Sequence, residues 1–77
     1  MGQRLVYHVI PHRKAGWDIQ LEGQEEPVDH AESKDQAIDK GKTLAKLAEE
    51  GDLVIHNRAG EIERELSYRS DVGQHGS

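Results

Sequence analysis

The chain alternates between segments with two kinds of strand pattern. Residues 17–21 and 62–68 alternate between apolar and polar positions, as half-buried β-strands do. Residues 4–10 and 53–55 instead carry apolar side chains on both faces, which is typical of strands with neighbours on either side. We therefore predict two central strands and two strands nearer the edges of a sheet.

One segment has the periodicity of a helix. Small and aliphatic residues within 37–48 recur at the spacing of a single helix face. Ser33 precedes them as a predicted N-cap, and Gln36, three residues later, completes a capping-box pattern. Gly51 is predicted to end the helix.

These elements follow one another in the order β-β-(β)-α-β-β, with a short edge strand around residues 28–30. A short hairpin loop makes neighbouring strands antiparallel, and one helix can cover only one face. We expect an α+β fold, a small antiparallel sheet of four to five strands with one helix packed on one face. Residues 1–69 are predicted to form this single domain, and residues 70–77 a flexible C-terminal tail. The predicted core consists of Trp17, Ile19, Leu21, Ile38, Leu44, Ala45, Leu53, Ile55 and Ile62.

A sheet covered on one side has an open face on the other. If the central strands are apolar there, Val6, Ile10 and Val54 form a patch with no helix above it. We predict that this patch, together with His8 and His56, is the interface with a protein partner or with a second copy of the chain as a homodimer. Protonation of the histidines near pH 6 would weaken such an association.

Composition narrows the classes of function. The 77 residues are only 34% hydrophobic and include no Cys, so the core is small and has no disulfide to support it. The net charge of −5 disfavours nucleic acid as a partner, because phosphate binding depends on Lys and Arg. A nucleic-acid module that uses a local basic patch around Arg4 and residues 12–14 remains an alternative. With no apolar run of about 20 residues, we expect no membrane partner and a cytoplasmic protein.

The five histidines raise the question of a metal site. His8 and His56 lie on the predicted central strands, where a suitable register would make them cross-strand neighbours. Two histidines and a carboxylate can hold zinc or iron, but the chain has no Cys and no close His-x-His spacing. We therefore predict hydrogen-bonded histidines with no metal and no cofactor, and keep a weak metal or ligand binder as a further alternative. His12, His30 and His75 are predicted to be solvated.

The sequence contains no arrangement typical of a catalytic site. Ser33 is explained as a helix cap, and Ser67 and Ser70 have no base at a predictable distance. A chain of this length also has little room for a deep pocket of about 300 Å³ or more. We predict that the protein is not an enzyme and has no catalytic residues.

Several short motifs together are similar to those of a known family. The stretches "YHVIPH", "GWDIQLEG", "HAESKDQAI" and "LVIHNRAGEI", followed by "SYR", occur in this order between residues 5 and 69. This combination resembles a family of short bacterial proteins catalogued as domain of unknown function 2188. The resemblance supports the fold and the cytoplasmic setting, and it implies no activity, cofactor or catalytic residue.

Overall fold

A computed structural model of the protein describes residues 4–69, which form five strands and one helix. The elements along the chain are β1 (Arg4–Pro11), β2 (Trp17–Leu21), β3 (Asp29–Ala31), α1 (Lys34–Leu47), β4 (Glu50–His56) and β5 (Ile62–Arg69). The predicted α+β fold and the order of its elements are confirmed. The predicted tail lies outside the described residues. Within residues 4–69, no helix is long and apolar enough to cross a membrane.

The strands lie in the order β3-β2-β1-β4-β5, so β1 and β4 are central as predicted. Three of the four strand pairs are antiparallel, but β1 and β4 are parallel, with Tyr7 opposite Leu53. The sheet is therefore mixed and not antiparallel throughout. The reason is that α1 crosses the sheet and returns the chain to the end from which β1 starts, as a crossover between parallel strands must.

The core lies between α1 and the covered face of the sheet. Its largest fully buried side chains are Ile19, Leu53, Ile55 and Val9. Eight of the nine predicted core residues are either buried or packed at its margin. The prediction for Ile62 is wrong, because this side chain is 57% exposed. A register shift between Ile55 and His56 places Ile62 opposite His56, and such an irregularity reverses the alternation beyond it.

The helix begins as predicted and ends earlier than predicted. The Ser33 hydroxyl accepts a hydrogen bond from the Gln36 backbone N–H at 3.2 Å, while Ala48 is the C-cap. Gly51 is not the helix end but a buried residue of β4. A Cβ atom at this position would lie 2.1 Å from the carbonyl oxygen of Ala45, so only glycine lets β4 pass so close to the helix.

Candidate functional site: two histidine clusters on the open face

The open face is the side of the sheet that α1 does not cover. Side chains of a strand alternate between the two faces of the sheet. The three inner strands β2, β1 and β4 therefore place every second side chain on the open face: Val6, His8, Ile10, Asp18, Gln20, Asp52, Val54 and His56. The five predicted interface residues therefore share this face. Val54, however, is only 8% exposed and is already covered by its own neighbours. The apolar patch is smaller than predicted, and polar groups interrupt it.

A first cluster, which we call the linear cluster, consists of Glu22, His8, His56 and the carbonyl of Gly60. His8 Nδ1 lies 3.0 Å from His56 Nε2, and His8 Nε2 lies 2.8 Å from Glu22 Oε1. At the far end, His56 Nδ1 lies 3.1 Å from the Gly60 oxygen. The predicted proximity of His8 and His56 is thus present, because the parallel register of β1 and β4 puts His56 diagonally across from His8.

The linear cluster makes three contacts through its ring nitrogens, whereas a pair of neutral imidazoles has only two N–H groups to donate. Glu22 and the Gly60 carbonyl each accept a hydrogen, and the contact between the two rings needs a third. Two neutral histidines carry only two ring N–H groups. Two of the three contacts are therefore satisfied by the ring N–H groups of neutral imidazoles.

A second cluster, which we call the convergent cluster, consists of His12, Asp18 and His30. Asp18 Oδ2 lies 2.8 Å from His12 Nδ1, and Asp18 Oδ1 lies 2.7 Å from His30 Nδ1. The rings of His12 and His30 meet edge to face, with centroids 5.3 Å apart. Both histidines therefore turn the same kind of nitrogen towards a single carboxylate.

Three different segments position the convergent cluster. Asp18 lies in β2 opposite Ile10 on one side and opposite His30 of β3 on the other. His12 directly follows β1, where its backbone N–H donates to the Gly16 carbonyl at 3.0 Å and closes the hairpin. The hairpin turn thus brings His12 back over β2, and β3 supplies His30.

Asp18 carries the charge of this cluster. Burial of its side chain raises the pKa of the carboxyl, but hydrogen bonds from His30 and His12 outweigh burial and hold the pKa below its ordinary value. The carboxylate is therefore ionised at neutral pH and accepts a hydrogen bond on each oxygen.

His12 and His30 are exposed, as predicted, but the prediction missed the hydrogen bond that each makes to Asp18. The sequence contained a clue to the contact between His12 and Asp18. The predicted hairpin pairs Pro11 with Trp17, and His12 and Asp18 directly follow these two residues. The sequence contained no such clue to the contact between His30 and Asp18, because the loop before β3 does not fix how β3 pairs with β2.

The predicted basic patch does not form. Arg4 starts β1, whereas residues 12–14 follow its other end. Arg4 instead donates from Nε to Asp52 Oδ2 at 2.8 Å. This hydrogen bond from Arg4 is the main cause of a lowered pKa for Asp52.

Two clefts flank the edge of the sheet at β3. The larger, of about 570 Å³, lies between β3 and α1, and the smaller, of about 320 Å³, lies beside Gly16. Both clefts are shallow and open to solvent, and both include His30 in their walls.

Comparison with known proteins concerns the same part of the chain. The profile of a family described as uncharacterized proteins conserved in bacteria matches residues 7–68, which include both clusters. The chain belongs to this family, DUF2188. The resemblance noted from the motifs is thereby confirmed. No curated protein and no solved structure matches the chain. The side chains of this DUF2188 domain are therefore the guide to its function.

Proposed function

We propose that this DUF2188 domain is a small, non-enzymatic protein-interaction module that binds through the open face of its sheet. The supporting observation is that α1 lies on the other side of the sheet and leaves apolar side chains of β1 only partly covered on this face. Val6 and Ile10 remain only half-buried there. Covering apolar surface of this kind is favourable by about 25 cal/mol per Å² removed from water.

The other groups on the open face suit a protein partner better than a nucleic acid. Glu22, Asp52 and Glu65 contribute carboxylates to this side of the sheet, which would repel phosphates. His8 and His56 engage ring nitrogens within the chain on both sides, so neither presents a free base for catalysis. The absence of Cys agrees with a cytoplasmic setting, which is part of this proposal.

A second copy of the chain is the partner that we propose to test first. Sedimentation velocity over a range up to high micromolar concentration is expected to show a concentration-dependent dimer. Ile10→Glu and Val6→Glu place a charge on the open face and should abolish it. Leu47→Glu is the matched control, because Leu47 is 79% exposed and lies on α1, away from the open face.

A strict monomer at these concentrations would reject the homodimer. The open face itself is then tested by comparing the proteins retained from a bacterial extract by the wild-type chain and by Ile10→Glu. If both chains retain the same proteins to the same extent, the open face is not the binding surface and the proposal fails.

A further inference from the structure

We propose that the convergent cluster of His12, Asp18 and His30 is a binding site for a divalent first-row transition-metal ion of the zinc class. The inference does not rest on the protein-interaction proposal. Each of the three residues offers one ligand atom, and these atoms all lie within 4.8 Å of one another. Among residues 4–69, this is the group of three metal-ligating side chains whose ligand atoms converge in this way.

The ligand set determines the class of ion. Two imidazole nitrogens and one carboxylate oxygen suit zinc and its late neighbours, whereas magnesium and calcium prefer oxygen ligands throughout. Zinc commonly keeps three protein ligands and leaves a fourth position to water or another ligand. The convergent cluster provides three such ligands.

The three ligand atoms are close together but are spaced for hydrogen bonds and not yet for an ion. With metal–ligand bonds of about 2.0–2.1 Å, neighbouring ligand atoms around a tetrahedral ion lie about 3.4 Å apart. The separations of 2.8 and 2.7 Å between Asp18 and the two imidazoles are shorter, because each is now a hydrogen bond. The two imidazoles contact different oxygens of Asp18, so an ion would need each separation to open by roughly 0.6 Å and the carboxylate to bind through both oxygens or to turn one oxygen towards both rings. His12 and His30 are partly exposed, so their rings are free to make this adjustment.

Asp18 and His30 are positioned before any ion arrives. Asp18 is fixed between two ladder partners, and only 11% of its side chain is exposed. Gly16 packs against the ring of His30, since a Cβ atom there would lie 2.8 Å from His30 Nε2. An ion at this position would tie the β1–β2 hairpin to β3, the shortest strand of the sheet.

The linear cluster has the same inventory of two histidines and one carboxylate and provides the internal control. His8 points opposite ring nitrogens at its two partners, Nδ1 towards His56 and Nε2 towards Glu22. No single ion can contact both of these nitrogens. The convergent cluster therefore differs from the linear cluster in the direction of its ring nitrogens and not in its residue types.

The test is a calorimetric titration of the full chain with Zn²⁺, carried out in a His75→Ala background so that the tail imidazole does not contribute. We expect one ion per chain. His12→Ala and His30→Ala are each expected to lower the affinity by at least about 10-fold, as even the loss of an outer-sphere partner can. His8→Ala, the matched control, should leave the affinity unchanged.

An NMR titration of the same chain provides a second measurement that does not depend on variants. Coordination through Nδ1 forces the remaining ring hydrogen onto Nε2, so Zn²⁺ should switch the tautomers of His12 and His30 and leave His8 and His56 unaffected. Affinity that survives both His12→Ala and His30→Ala, an equal loss in His8→Ala, or unchanged tautomers for His12 and His30 would each overturn the proposal.

Discussion

The two histidine clusters of the open face contain the same groups and differ in what they can do. Each has two imidazoles and one carboxylate. In the linear cluster the groups follow one another, so that hydrogen bonds run from Glu22 through His8 to His56. In the convergent cluster both rings face Asp18. The first arrangement suits a chain of hydrogen bonds, and the second suits the binding of an ion.

Strand placement explains this difference. His8 and His56 belong to adjacent parallel strands, so their rings stand side by side on the same face. His12 and His30 reach Asp18 from opposite sides, one from the end of the hairpin and the other from β3. The comparison teaches that the direction of the ring nitrogens, and not the number of histidines, separates a candidate metal site from a hydrogen-bonded network.

The clusters should differ most in how much their carboxylates contribute to the stability of the fold. Asp18→Ala removes a buried, ionised acceptor of two hydrogen bonds and should lower the free energy of unfolding by about 1.5–3 kcal/mol. Glu22→Ala removes an exposed carboxylate, and the change should stay within about 0.5 kcal/mol. Urea unfolding of both variants at pH 7 measures this. Equal losses would show that the clusters are energetically alike.

A smaller effect concerns the contact between His8 and His56. A double-mutant cycle with His8→Ala and His56→Ala should give a coupling free energy of about 0.5–1 kcal/mol, because the two rings share a hydrogen bond. The same cycle with His8→Ala and His12→Ala is the control and should be additive, since the two belong to different clusters. Additivity in both cycles would contradict the hydrogen bond between the rings.

The ion pair between Arg4 and Asp52 lies on the open face but outside both clusters, and its contribution to stability can be compared with theirs. Its contribution should depend on pH with a defined sign, because the hydrogen bond from Arg4 lowers the pKa of Asp52 in the folded chain. The stabilisation is complete above the ordinary value of 3.8 and is lost as the pH falls through the lowered folded value. Asp52→Asn should cost less than about 1 kcal/mol at pH 7. This difference should disappear in acid unfolding measurements, and a difference that grew on acidification would be inconsistent with the pair.

The last prediction involves no change in stability. In the chain without metal, ¹⁵N spectra of the imidazoles should show a hydrogen on Nδ1 of both His12 and His30, because each of these nitrogens faces the Asp18 carboxylate. A hydrogen on Nε2 alone in His12 or His30 would contradict the arrangement of the convergent cluster.

Much of the fold was predictable from local pattern. The alternation in 17–21, the doubly apolar strand 4–10 and the Ser33 cap all identified their elements, because side-chain period and capping are properties of neighbouring residues. Ile62 and Gly51 were misplaced for a common reason. The register shift in β5 and the close approach of β4 to the helix are responses to a neighbouring element that local pattern does not report.

The candidate site was predictable only in part. The sequence placed His8 and His56 on central strands and left their contact to an unknown register. It contained a hairpin that could have linked His12 to Asp18, and no signal for His30. The missing information was the pairing of β3, which follows a loop whose length allows several registers.

By itself, then, the amino-acid order determined the strands, the helix and, away from the register shift, which side chains point away from the core, since these depend on periods of two and 3.6 residues along one segment. The tertiary structure alone decided that β1 and β4 run parallel, that Ile62 faces outward and that two imidazoles meet at Asp18. These outcomes depend on where α1 and the loop before β3 return the chain. That placement is set by contacts throughout the domain, and no single segment of the sequence encodes it.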